Sequence, residues 1–131
     1  EVGKPVFIDF TGHGCQNCRR VEDQYWVNNQ VREILNNDVV LVSLYVDDRT
    51  LLPEEEQITV KYRGKSKKLK TVGDKWAYFE SNNFGQVSQP WYVLLSTDEV
   101  LLTQPIGYSK GDVAVHEAFL ECGLEANKSL K

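Results

Sequence analysis

The chain has 131 residues, 41% of them apolar and 26% charged, with a formal net charge of −4 at pH 7. This composition excludes a disordered chain and fits a globular protein that can bury a core without disulfide staples, so residues 1–131 are expected to form one domain. The acidic balance argues against a nucleic-acid partner, because phosphate binding needs positive charge clustered over a large surface.

The sequence opens on Glu1, contains no methionine and shows no signal-peptide pattern, so a processed protein or an excised domain is expected. Residues 5–10, "PVFIDF", are apolar around a single acid and read as a buried strand. From about Cys15 a helix is expected, because Cys18, Val21, Glu22 and Tyr25 recur at helical spacing while Arg19, Arg20 and Asp23 turn outward. It should break near "NNQ", where Asn28 or Asn29 can cap a short helix carrying Val31, Ile34 and Leu35 inward. The run "VVLVSLYV", residues 39–46, is far short of the roughly 20 residues that span a bilayer and reads as a second buried strand. Strand, helix, strand is the parallel unit of an α/β fold with a central sheet flanked by helices.

Residues 47–74 read as an inserted basic arm, with six basic residues between Lys61 and Lys70 and an alternating pattern around Gly64 that suggests a hairpin. Lysines commonly guard exposed strand edges, and a docking surface for an acidic partner or lipid headgroups is the sharper alternative. "DKWAYFESNNFG" then places Trp76, Phe79 and Tyr78 at helical spacing and ends in helix-stopping Asn82, Asn83 and Gly85. "WYVLLS" reads as a strand, "TDE" as a turn and "VLLTQPI" as its antiparallel partner, with Pro105 at the end. A terminal helix over 110–124 is expected to bury Val115, Ala118, Phe119 and Cys122, which makes Cys122 an inert core thiol.

Three cysteines allow at most one intramolecular bridge, and Cys15 with Cys18 is the natural pair. The pair has three readings: a redox couple, half a metal site, or a structural staple. A zinc site needs two more ligands, and His13, His116 and Cys122 offer no second pair spacing. A staple across two residues constrains little chain and stabilises little. Redox chemistry needs a thiolate, which a helix N-terminus favours, so Cys15 would attack a target disulfide and the more buried Cys18 would resolve the mixed disulfide. Asp9, an acid in an apolar strand, would have a raised pKa suited to taking the Cys18 proton; a structural acid bonded to backbone is its alternative. Glu22, four residues after Cys18, could tune the same proton or be a solvent-facing helix acid.

A strand ending in Asp9, a cysteine six positions later, CxxC opening a helix, and Pro90 in "SQPW" before a late apolar strand together resemble the thioredoxin superfamily. That resemblance implies a thioredoxin-like fold with a mixed sheet, a cis bond before Pro90, and a Gln89 backbone that pairs with substrate peptide. Glu22 and the stretch "YWVNNQVREIL" are most similar to the group of the C-terminal soluble domain of the thiol:disulfide interchange protein DsbD. This implies a protein-disulfide reductase of the bacterial envelope, facing the periplasm, that takes electrons from a membrane-embedded donor and passes them to protein thiols and disulfides, with no metal or organic cofactor. The arm over 47–74 and Gly14, where many thioredoxins carry Trp, depart from the pattern, and His13 could stand near the thiolate in compensation. Gln16 and Asn17 add no charge that would make a strongly oxidising centre. The rival reading is a non-catalytic thioredoxin-fold binding module that holds a protein partner.

Overall fold

The computed structural model describes residues 4–62, 64–85, 88–108 and 113–129. Strand β1 (Val6–Thr11) runs through the middle of a three-stranded sheet, and its last five residues are buried. It pairs in parallel with β2 (Val40–Tyr45), in the register Asp9 to Ser43, and antiparallel with the late strand Trp91–Leu95, in the register Asp9 to Tyr92 and Phe10 to Trp91. A central strand covered on both faces must be apolar nearly throughout, which is why Asp9 stands out in it.

The crossover from β1 to β2 begins with α1 (Gln16–Arg20), which widens into a π-helical turn over Val21–Tyr25 where the Trp26 N–H donates to the Val21 carbonyl at 3.1 Å. Such a turn absorbs one extra residue and re-aims the helix. Asn28 then caps α2 (Asn29–Asn37), its side-chain oxygen accepting the N–H groups of Gln30 and Val31 at 3.0 and 3.3 Å. Val31 and Ile34 are buried and Leu35 packs beside them, as their spacing requires.

The arm between β2 and the next long helix holds a 3-10 turn (Glu54–Glu56) and a hairpin of β3 (Thr59–Tyr62) and β4 (Lys65–Lys68) turning at Gly64. It ends earlier than 74. Thr71 caps α3 (Val72–Phe84) by accepting the Asp74 N–H at 3.0 Å, and the Asp74 carboxylate accepts the Thr71 N–H at 3.2 Å, a reciprocal box that pulls residues 72–74 into the helix. Gly85, left-handed at φ 69°, stops α3.

With Trp91–Leu95 as β5, the chain after it was expected to be a full partner strand. Among the described residues it pairs with β5 only at the Leu95–Leu101 and Tyr92–Ile106 bridges, which are separated by three residue steps on β5 and five on the returning chain. Pro105 lies in that bulge and has no N–H to give a ladder.

Helix α4 (Val113–Ser129) buries His116, Phe119, Leu120, Gly123 and Asn127. The expected face is therefore corrected: Val115 is 44% exposed, and Ala118 and Cys122 face solvent. Gly123 packs so closely on Leu94 of β5 that a Cβ would collide with it, and this contact sets the helix's rotation.

Helices cover both faces of the sheet. Phe7 and Tyr92 meet the π-helical turn, α2 and α4, with the Phe7 ring edge-on to Trp26, Tyr92 and Phe119 at 6.3, 5.6 and 6.1 Å. Ile8, Phe10 and Val93 meet Trp76, Phe79 and Phe84 on the α3 side. Among the described residues no helix is long and apolar enough to cross a membrane.

Candidate active site

The chain leaves β1 at Thr11, turns through Gly12 to Gly14, and enters α1 at Cys15. Cys15 keeps an extended backbone and caps the helix itself, its Sγ accepting the Cys18 N–H at 3.1 Å. Cys15 is half-buried, Cys18 is 2% exposed, and the two are joined in a disulfide with Cα atoms 5.3 Å apart. In the reduced protein the same N–H is placed to stabilise a Cys15 thiolate, while burial disfavours one at Cys18.

Asp47, just beyond β2, holds the turn before Cys15: its carboxylate accepts the His13 N–H at 2.9 Å and the Gly14 N–H at 3.1 Å. Slight desolvation opposes its charge, but these two hydrogen bonds prevail and hold the carboxyl below the usual range. The His13 ring stacks on Tyr45 at 4.2 Å between centroids, so its contact is with β2. No feature of the sequence pointed to Asp47, because the pairing of its loop with the cysteine loop arises only from the parallel register.

Side chains alternate along β1, so Phe7, Asp9 and Thr11 share the face that α1 covers. Asp9 is 2% exposed; its Oδ2 accepts the Ser43 hydroxyl at 3.2 Å, and its Oδ1 has no partner among the described residues. Burial pushes its pKa up to about 7; the Glu22 charge adds to the rise, and the Ser43 bond and Arg19 oppose it. Its bonded neighbour is thus a side-chain hydroxyl rather than backbone.

Glu22 pairs with Arg19 at 2.9 Å and is one-third exposed. Arg19, expected to face outward, instead folds back so that its guanidinium donates to the buried Thr11 hydroxyl at 2.9 Å. Its long stem reaches the strand from a helix position that periodicity assigns to the surface. Asp9, Ser43, Thr11, Arg19 and Glu22 form one polar cluster beneath and beside α1.

The Gln89–Pro90 bond is cis. Because Phe10 pairs with Trp91, Pro90 lies level with Thr11, at the end of the sheet that carries the dithiol. Directly behind it on α3 is a residue that the sequence reading passed over. Glu80 is fully buried and accepts the Ser88 N–H at 3.3 Å, with the Gln89 side chain as a second polar neighbour. Burial raises its carboxyl to about 7 against the Ser88 bond and the Gln89 side chain.

The candidate metal ligands do not converge. His116 lies in the core against Phe7, Tyr25 and Tyr92, its Nε2 accepting the Trp26 indole N–H at 3.2 Å, and burial lowers its pKa to about 4. Cys122 is exposed, with the Thr103 hydroxyl 3.6 Å from its sulfur. Among the described residues no group of three or more His, Cys, Asp or Glu is gathered for a metal.

A mixed sheet between helical layers, a dithiol where a strand hands over to a helix, a buried aspartate in that strand and a cis-proline at the same sheet end define a thioredoxin fold. The chain belongs to the thioredoxin-like domain family, whose model matches residues 1–115. Among solved structures it is similar to one titled "DsbH Oxidoreductase", with TM-score 0.62 and 17% identity over 94% of this chain and 74% of that one. It is also similar to a thioredoxin-fold protein from Helicobacter pylori, with TM-score 0.58 and 15% identity over 98% of this chain and 87% of that one. At such identities the likeness establishes the fold alone. No curated protein sequence matches the chain. Fold and cysteine pair together are consistent with thiol–disulfide oxidoreductase chemistry.

Proposed function

We propose that the chain is a protein-disulfide reductase of the bacterial envelope, in which Cys15 attacks, Cys18 resolves, and Asp9 with Glu22 handles the proton. The observation that carries this is the asymmetry of the dithiol: a half-buried Cys15 whose sulfur already accepts the Cys18 N–H, beside a buried Cys18. In the forward step the Cys15 thiolate attacks one sulfur of a substrate disulfide, forming a mixed disulfide and releasing the other substrate sulfur as thiolate. Cys18 then gives its proton to the Asp9 carboxylate, and its thiolate attacks the Cys15 sulfur, releasing the reduced substrate. The domain ends oxidised, with the Cys15–Cys18 bond closed, and a dithiol donor must reduce it again.

Substrate polypeptide would lie against the backbone of Gln89 beside Pro90. The resemblance to the DsbD group supports a membrane-embedded donor and a periplasmic location, and the name of one structural neighbour, an oxidoreductase, agrees with the chemistry. The uncharged Gln16 and Asn17 between the cysteines add no charge that would make a strongly oxidising centre.

Reduced wild-type domain should reduce a protein disulfide with turnover, and Cys15→Ser should lose the activity by at least a thousandfold, as read by the loss of substrate disulfide over time. Equal rates for the two would leave only the binding module. Equilibration with glutathione buffers fixes direction: a potential close to that of strong oxidants would exclude the reductase.

A further inference from the structure

Glu80 has no part in the proton relay, lies on the opposite face of the sheet from Asp9, and is nonetheless fully buried at an apolar position of α3, four residues after Trp76 and next to Phe79. A leucine there would fill the space without burying a carboxyl that has one oxygen unpartnered among the described residues. What the carboxyl provides is attachment. It takes the backbone N–H of Ser88, two residues before Pro90, and stands beside the Gln89 side chain.

We propose that Glu80 is a positioning residue for polypeptide substrates: by tying the Ser88 backbone to α3, it fixes the turn into Pro90 in the form that a substrate strand meets beside the dithiol. Three features make this more than a packing role. The Ser88 bond anchors the backbone two residues before Pro90 to α3. The turn it fixes is level with Thr11 and hence with the dithiol end of β1. The residue is an acid where the helix pattern asks for an apolar side chain, and such a local exception is found where a site must be held.

The inference rests on the reductase reading and says which substrates depend on Glu80: a disulfide within an extended polypeptide, which needs the turn, as opposed to a small disulfide, which needs only Cys15. The test compares a disulfide-bonded peptide with 5,5′-dithiobis(2-nitrobenzoate) as substrates for reduced wild type, Glu80→Ala and Glu80→Gln. Losing the hydrogen bond to Ser88 should raise KM for the peptide about five- to tenfold in Glu80→Ala while kcat stays within about twofold. The rate on the small disulfide should fall by less than about twofold, and Glu80→Gln, which keeps an acceptor for Ser88, should recover most of the peptide KM. If Glu80→Ala does not fold, Glu80→Leu fills the space without an acceptor for Ser88 and should raise the peptide KM in the same way. An equal loss on both substrates, or an unchanged peptide KM, overturns the positioning role. A wild type inactive on both overturns the reductase reading and the inference with it, which distinguishes the two failures.

Discussion

Asp9 and Ser43 show how much of a site one hydrogen bond can set. With its carboxyl pushed to about 7, Asp9 is divided between its two protonation states at neutral pH, which lets it both accept and return the Cys18 proton. The Ser43 hydroxyl favours the charged form, so it holds that value down against burial. Ser43→Ala should therefore raise the Asp9 midpoint, by on the order of one unit for a lost hydrogen bond of about 1 kcal/mol. Carbon-13 NMR titration of the Asp9 carboxyl in the oxidised protein reads this directly, and an unmoved midpoint would remove Ser43 from the site. Asp9 was legible in the sequence as an acid inside "PVFIDF"; Ser43 was not. The run "VVLVSLYV" looks buried throughout, yet β2 is an edge strand with Leu41 and Ser43 exposed. Only the parallel register brings Ser43 level with Asp9.

At the scale of elements, segments governed by local chemistry were readable and segments governed by packing were not. The Asn28 cap, the Gly85 stop and the hairpin turn at Gly64 follow from side-chain chemistry within a few residues. Helix α4 was rotated wrongly because its buried face includes His116, Gly123 and Asn127, which hydrophobicity does not count. The spacing 116, 119, 120, 123, 127 was nonetheless helical, and the presence of a histidine among apolar neighbours was the available signal. Glu80 carried a similar signal, an acid four residues after Trp76. The capping box of α3 lends itself to a test at this scale, since it sits at the helix start, more than two turns from Glu80. Thr71→Ala removes the acceptor for the Asp74 N–H and should cost about 1 kcal/mol. Urea unfolding should show a lower midpoint with an unchanged slope, while the rate on a small disulfide holds. An unchanged midpoint would mean that the Asp74 carboxylate alone sustains the helix start.

For the whole molecule, buried ionisable groups on both faces of the sheet set how stability follows pH. Asp9 and Glu80 both have folded pKa values raised to about 7 from 3.8 and 4.5. Between those limits the folded protein holds protons that the unfolded chain has lost, so both groups make stability fall as pH rises from about 4 to 7. His116 acts in the other direction: its folded pKa is lowered to about 4 from 6.5, so below 6.5 the unfolded chain takes a proton that the folded one refuses. Two acids outweigh one imidazole, and the oxidised protein, whose paired cysteines do not titrate, should be on the order of 3 kcal/mol more stable at pH 5 than at pH 8. Asp47, Asp48 and Asp74 have lowered pKa values and contribute stability that is lost only as pH falls below the usual carboxylate range, which closes the acid side of the curve. Thermal unfolding of the oxidised form across pH 4 to 9 should thus peak in mildly acidic buffer. His116→Gln, which keeps an acceptor for the Trp26 indole, removes the opposing titration and should steepen the decline between pH 5 and 7. A melting temperature that rises from pH 5 to 8 would mean that neither Asp9 nor Glu80 holds its proton in the folded state, and that the proton acceptor for Cys18 lies elsewhere.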